Sequence, residues 1–387
     1  MPMNRPIARL WPLLLAGGIV SASVPVRAAE PEPELKRLRD HVAALASADF
    51  QGRRGAGGEK AAEYVADHFR RLGLAPLFDG SFFQNVPGRE GVFPSGRNVG
   101  ATLRGSDPAL RDEWVIVSAH FDHLGTRGGT IYPGADDNAS GVAMMLEVAR
   151  SFVEGKDKPK RSLMFIGFDL EEIGLFGSRY FVEHSPVPLA KVSLFVTADM
   201  IGRSLGGVCD PYVFVMGTEH APALRPWIEA AALGSAVNVG VLGSDLLLFD
   251  RSDYGPFRAR KVPYLFFSTG ESPVYHTARD VAETLNYPKL EAISRIILGV
   301  VRRSAEIDQA PEWSSAPDHT LAEALTIRDV LRTLLANREG LKIGAAPLLL
   351  MKNAIRSLDA IADRGAITAE ERTGVVRVAR IILMSVL

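Results

Sequence analysis

The residues able to do chemistry fall where apolar runs end. His120 and Asp122 close the run 114–119. Asp169, Glu171 and Glu172 follow the run 163–168, Asp199 follows 192–198, and His276 comes a short loop after 262–267. Between the first two runs, Asp136 and Asp137 open a helical-looking segment. Singly, a histidine at a strand end is more often a hydrogen-bonded structural group, and an acidic pair is more often a solvated turn. Taken together, two histidines and at least four acids are expected to meet on one rim of a sheet. Carboxylates crowded there raise one another's pKa, and such crowding is best relieved by cations. Mixed imidazole and carboxylate donors suit zinc or a similar divalent ion. An odd number of carboxylates with two histidines and no cysteine points to two ions sharing a bridging acid.

These groups need a scaffold that brings distant strand ends together. The continuous apolar runs at 114–119, 163–168, 192–198, 212–216 and 262–267 read as buried strands. Helical patterns at 34–46, 60–72, 140–153, 174–184, 221–233 and 287–307 surround them. The alternation predicts an α/β fold with a mixed, mostly parallel central sheet and helices on both faces. Ligands in open sheets of this kind sit at the carboxyl ends of the strands, where the acids and histidines are. The Gly-rich stretch 51–59 lacks the Gly-Lys-Ser/Thr ending of a phosphate-binding loop and reads as a turn. A Pro- and Ser-rich break at 311–318 separates residues 29–308, the expected catalytic domain, from a helical extension over 309–387. Capping boxes at Thr320–Glu323 and Thr368–Glu371 start two helices of that extension, a further helix is expected over 348–362, and no catalytic constellation is visible in it.

Composition narrows the class. The 387 residues are 47% hydrophobic and 23% charged, with a formal net charge of -1. That is a globular composition without the basic footprint of a nucleic-acid binder. Arg5 and Arg9 precede an apolar stretch at 10–24, and Val26-Arg27-Ala28 supplies a small-residue cleavage pattern, so residues 1–28 read as a secretory signal peptide. The interrupted run is short of the ~20 apolar residues of a membrane span. After signal cleavage no stable membrane span is expected, and the protein is placed outside the cytoplasm, periplasmic or secreted. Cys209 is the only cysteine, so no internal disulfide can form and stability must come from the core. With no histidine near it in sequence, Cys209 reads as a small packed residue.

Five motifs in order carry a resemblance: SAHFDHLG at 118–125, GADDNASG at 134–141, EEIGLFGS at 171–178, ADM at 198–200 and YHT at 275–277. FQGR at 50–53 and Asn98-Val99 add to it. Over about residues 38–300 the chain resembles the co-catalytic dizinc peptidases. These include secreted bacterial leucine aminopeptidases and glutamate carboxypeptidase II, with glutaminyl cyclases and the non-catalytic transferrin receptor ectodomain as relatives. The resemblance implies two Zn2+ ions, with other divalent metals as substitutes. His120 and Asp199 would hold one ion, Glu172 and His276 the other, with Asp137 as the bridge and Asp136 as a neighbour. Asp122 would orient His120, and Glu171 would be the general base of a metal-activated water. Tyr275 is a candidate contact to the tetrahedral intermediate. Asp250, Asp253 and Tyr254 fall where the family builds part of its substrate pocket. His123 is read mainly as packing, and His184, His220 and His319 as surface groups.

The function implied is an exported metallo-aminopeptidase acting on peptides or small aminoacyl substrates. A carboxypeptidase-type or cyclase-type enzyme on the same scaffold is the alternative. A non-catalytic binding protein would require the ligands or Glu171 to be lost, and all are present.

Overall fold

A computed structural model describes residues 30–88, 90–91, 94–156, 158–246 and 250–386. The expected signal peptide at 1–28 lies outside the described residues. Residues 31–387 cluster as one compact unit. Its strands are β1 (Ala75–Pro76), β2 (Phe83–Val86), β3 (Gly96–Leu103), β4 (Trp114–His120), β5 (Thr126–Arg127), β6 (Thr130–Ile131), β7 (Ser162–Phe168), β8 (Val192–Ala198), β9 (Tyr212–Met216), β10 (Asn238–Val241) and β11 (Tyr264–Ser268). Its helices are α1 (Leu35–Leu45), α2 (Ala56–Arg71), α3 (Gly141–Val153), α4 (Phe176–Glu183), α5 (Arg225–Ala232), α6 (Tyr254–Ala259), α7 (Tyr287–Glu306), α8 (Leu321–Ala336), α9 (Ala345–Arg364) and α10 (Ala369–Val386).

The main sheet runs β1-β3-β7-β4-β8-β11-β9-β10, with β2 also paired to β3. Its centre, β7-β4-β8-β11, is parallel, and antiparallel pairings at β3–β7 and β11–β9 flank it. The chain moves from β4 to β7 on one side, then returns to β8 and β11 on the other. The carboxyl ends of the four parallel strands therefore open one crevice, the topological switch point where such sheets bind ligands. Alternating side chains explain the unbroken apolar runs. Val115 and Val117 enter the core under α1, α2, α3, α5 and α7. Ile116 between them enters the opposite core with α4, α6 and α8–α10. A strand buried on both faces needs an apolar residue at every position.

The sequence expectations need three corrections. The stretch 51–59 is not all turn: α2 already begins at Ala56. Gly57 is there for close approach, because a Cβ would meet the Phe50 carbonyl oxygen at 2.0 Å. The short strand β10 and helix α6 have no clear periodicity and were not expected. At the start of α8, Thr320 makes no capping hydrogen bond, and Glu323 instead turns inward. The second capping box does form: Thr368 Oγ1 accepts from Glu371 N–H at 3.2 Å, and Glu371 Oε2 accepts from Thr368 N–H at 2.9 Å.

Glu323 ties the C-terminal helices to the sheet. It is buried and accepts from Gly243 N–H, two residues beyond β10, and from Arg372 of α10. Arg372 also reaches Asp245, and His319 Nδ1 lies 3.4 Å from Glu323. The acids of this cluster are thus already matched by a permanent cation. His319 and His220 are not bare surface groups either, since His220 stacks on Trp313 with centroids 4.2 Å apart. Burial would raise the Glu323 pKa, but hydrogen bonds from Arg372 and His319 outweigh it and hold the carboxyl at about 2. A folded-state pKa below the ordinary 4.5 gives stability that is present above that value and lost as pH falls toward about 2. Arg372→Met should cost about 3–5 kcal/mol by urea unfolding at neutral pH, because it strands a buried carboxylate. Glu323→Gln should flatten the loss of stability between about pH 4.5 and 2, measured by thermal denaturation across that window.

Candidate metal centre

His120 is the last residue of β4, and Asp199 directly follows β8, its parallel neighbour. The pairing sets their side chains together, with His120 Nε2 3.3 Å from Asp199 Oδ1. Asp137 arrives from the loop between β4 and α3. Its Oδ1 lies 3.5 Å from His120 Nε2, and its Oδ2 lies 3.1 Å from His276 Nε2. Glu172, beyond β7, places Oε2 3.1 Å from the same His276 nitrogen. Two potential ligand groups result, His120–Asp137–Asp199 and His123–Asp137–Glu172–His276, each with ligand atoms within 4.8 Å of one another. Asp137 is common to both.

The surrounding residues aim these groups. Asp122 Oδ1 sits 3.6 Å from His120 Nδ1. Its two carboxylate oxygens accept the backbone N–H of Glu171 and Glu172, at 3.1 and 3.3 Å. One side chain thus faces the histidine and holds the turn that carries both glutamates. Asp136 points away, with Oδ1 accepting from Gly202 N–H at 2.6 Å. Glu171 belongs to neither ligand group but lines the adjoining cavity, with Oε2 4.0 Å from His120 Nε2. Tyr275 stacks on His276 and lines the same cavity.

The turns themselves are unusual. Leu170, Met200 and His276 have φ of 59°, 56° and 54°. These are left-handed conformations that non-glycine residues seldom adopt. They sit beside Glu171 and Asp199 and at the histidine ligand position itself.

The loop carrying Asp137 is held from below by Arg53. This fully buried guanidinium donates to the carbonyls of Phe121 (2.7 Å), Leu45 (3.1 Å), Pro133 (2.5 Å), Gly134 (2.7 Å) and Asp137 (3.0 Å). Asp280 completes the cradle, its carboxylate accepting the N–H groups of Asp136 and Asp137 and pairing with Arg203. At Gly134, φ is +58° and a Cβ would meet the Asp137 carbonyl oxygen at 2.2 Å, so only glycine lets the loop fold back so tightly.

Electrostatics follow from the crowding. Burial, then Glu172, pushes Asp137 up to about 6. Burial also raises Glu171 well above the carboxylate range, against the pull of His120. Burial would lower His276, but its contacts with Asp137 and Glu172 prevail and lift it to about 10. His123 goes the other way, to about 4, chiefly by burial, so it is a neutral imidazole at pH 7. The donor set fits a divalent cation: several buried carboxylates and imidazoles share one small space, each favouring a positive neighbour.

Some placements depart from the sequence expectation. Asp253 and Tyr254, possible substrate contacts by sequence, are both 0% exposed and are not among the residues lining the cavity. Burial raises the Asp253 carboxyl to about 7. Asp250 pairs with Arg258 at 3.0 Å. His123, read as packing, places Nδ1 2.6 Å from Glu172 Oε1 and joins a ligand group. Asp280 was missed outright. Its only signal was its position four residues after His276.

Comparison with known proteins places this geometry. The model of peptidase family M28 matches residues 98–301. Aminopeptidase YwaD of Bacillus subtilis is 27% identical over 206 residues, covering 51% of this chain and 42% of that protein. The chain spans less than half the length of these curated relatives, YwaD and a probable zinc metalloprotease of Pyricularia oryzae. Among solved structures, BSAP, a zinc aminopeptidase from Bacillus subtilis, aligns with a TM-score of 0.57 at 16% identity, over 74% of this chain and 100% of that one. Porphyromonas gingivalis glutaminyl cyclase aligns with a TM-score of 0.58 at 20% identity, over 71% and 99%. At these identities the structural matches establish the fold alone.

Arg53→Met should weaken zinc retention about 10–100-fold, the usual scale for groups that orient ligands, and lower the melting temperature. Dialysis against graded chelator followed by metal analysis checks the first, and thermal denaturation the second. Arg53→Lys should not restore retention, because one ammonium cannot reach five carbonyls. Native retention in the lysine variant would refute the clamp.

Proposed function

Since the chain belongs to peptidase family M28, we propose that it is a zinc-dependent aminopeptidase that removes N-terminal residues from peptides or small aminoacyl substrates. The observation that carries the reading is the double membership of Asp137, one carboxylate facing His120 and Asp199 with one oxygen and His276 and Glu172 with the other. His120, Asp137 and Asp199 would hold one zinc ion, and Asp137, Glu172 and His276 a second. Bound zinc supplies Lewis acidity, lowering the pKa of a water and polarising the scissile carbonyl.

The chain's own groups supply the rest. Glu171, at the cavity wall and outside both ligand groups, takes the proton of the attacking water and returns it to the leaving amine. Asp122, through the backbone of the 171–172 turn, keeps Glu171 toward the cavity while Glu172 faces His276. Tyr275, whose hydroxyl burial keeps protonated and which lines the cavity, would donate to the oxyanion of the tetrahedral intermediate. With Asp137, Glu172 and Asp199 given to zinc, Glu171 is the acid left at this end of the cavity to meet a substrate α-amine beside the scissile bond. Of the cavity's two arginines, Arg251 has its charge matched by Glu271, and Arg380 gives its Nε–H to the Leu246 carbonyl. That arrangement favours an amine over a terminal carboxylate and supports the aminopeptidase reading over the carboxypeptidase one.

Export is part of the proposal. It rests on Arg5, Arg9 and the apolar stretch 10–24. No helix among the described residues is long and apolar enough to cross a membrane.

Glu171→Gln should lower kcat by about 10²–10⁴-fold while zinc per chain, measured by elemental analysis, stays at the native value. Near-native hydrolysis by that variant would remove Glu171 from the mechanism. Asp137→Ala should deplete zinc from both sites together. A panel of aminoacyl-anilides, a dipeptide with a free C-terminus and an N-terminal glutamine peptide, each with and without chelator, tests the reaction class. Turnover confined to the glutamine peptide would make the enzyme a cyclase, and undiminished turnover after complete metal removal would refute the account.

A further inference from the structure

The cavity beside the metal centre is larger than one ordinary side chain requires. Its volume is about 510 Å³, within the roughly 300–1,000 Å³ of pockets that enclose a whole drug-sized ligand. One end holds Asp137, Glu171, Glu172, Asp199 and His276. Beyond them the walls turn apolar. Phe214 of β9 and Phe266 of β11 line the sheet side, and Val330 and Leu331 of α8 with Leu383 and Met384 of α10 line the other. Residues 327–384 of this wall lie outside the 98–301 stretch that the family model matches. The helices also share one hydrophobic core with the sheet, and Arg372 and Glu323 pin them to it, so the wall is fixed rather than a loose flap. Met384 is 73% exposed, which places the apolar lining in continuity with solvent at the far end.

We propose that this cavity selects aminoacyl substrates whose N-terminal residue carries an extended apolar tail, of about eight or more carbons, with α8 and α10 forming the far wall that holds it. The inference rests on the aminopeptidase reading. In an exopeptidase of that polarity the downstream peptide must run out to solvent, whereas the N-terminal residue is the part that ends. The apolar wall is mostly buried and opens only at its far end by Met384, which suits an N-terminal side chain long enough to run its length. Glu171 at the metal end matches the amine, and the apolar walls match a tail that continues past the reach of leucine.

The test uses the full-length, zinc-loaded enzyme with alanyl-, leucyl- and 2-aminodecanoyl-anilide. Each methylene buried contributes about a fourfold gain in affinity at best, so 2-aminodecanoyl-anilide should exceed leucyl-anilide in kcat/KM by at least tenfold. Val330→Phe and Met384→Asp narrow or charge the far wall at a buried and an exposed position. Each should reduce the 2-aminodecanoyl to alanyl ratio at least tenfold, and the exposed variant guards against misfolding of the buried one. The free product 2-aminodecanoic acid should raise the melting temperature of native protein more than leucine does, and less in the two variants. A 2-aminodecanoyl to leucyl ratio at or below one, with alanyl hydrolysis intact, overturns the proposal. So does preferred turnover of alanine decylamide, which would put the tail on the amine side. If no anilide is hydrolysed but the melting shift appears, the aminopeptidase reading fails while the tail site stands. If hydrolysis occurs with no shift, the tail site fails.

Discussion

The buried guanidinium of Arg53 is the interaction on which the site depends. A permanent cation away from water is costly unless every N–H finds an acceptor. Here the acceptors are five backbone carbonyls drawn from the end of α1, from the residue after β4 and from the loop before α3. Hydrogen bonds from a charged donor are each worth about 1.5–3 kcal/mol, so this one side chain sets the separation of three chain segments. Its charge also faces the acids from behind. Burial presses the guanidinium toward neutrality, and Asp137, Asp280, Asp122 and Glu172 oppose that pressure. The cation and the acids therefore stabilise one another without sharing a direct ion pair, which leaves the carboxylate oxygens free for other partners.

That division of labour recurs around the centre. Groups that touch backbone hold position, and groups with free oxygens or ring nitrogens face the crevice. Asp280 and Asp136 accept N–H groups and stay out of the ligand groups. Asp122 does both kinds of work, facing His120 while holding the turn of Glu171 and Glu172. Because adjacent residues on a turn diverge, Glu172 and Glu171 end up in different surroundings, one among potential ligands and one on the cavity wall.

The sequence exposed the sheet more readily than the surroundings of the site. Strands β4, β7, β8, β9 and β11 are buried on both faces, so their apolar runs stand out without any alternation, and β8 and β9 match the expected limits. The ligand candidates were legible because each follows such a run. Strand β10 and helix α6 were not, being short and carrying Gly240 in the one and Gly255-Pro256 in the other. Glycines misled at the start of α2, where Gly57 serves tight packing rather than a turn. His123 escaped because a histidine next to Asp122 has no periodicity to mark it, and Asp253 because a turn sequence gives no sign of complete burial. The helices α8 and α10 looked inert in sequence, yet their apolar faces reach the cavity only because α7 and the segment after it lead the chain back across the sheet, a tertiary fact with no local signature.

Leu170, Met200 and His276 carry one more consequence. Each holds a left-handed backbone that costs on the order of 1–3 kcal/mol for a residue with a Cβ, and each adjoins or supplies a group at the metal centre. Glycine would relieve that strain, at Leu170 only by giving up a buried side chain, and at either Leu170 or Met200 it would loosen the turn that aims Glu171 or Asp199. Thermal robustness and catalytic aim are thus in direct competition at the strand ends. Variants selected for heat tolerance and activity together should gather their substitutions in the helical layers and leave these three positions alone.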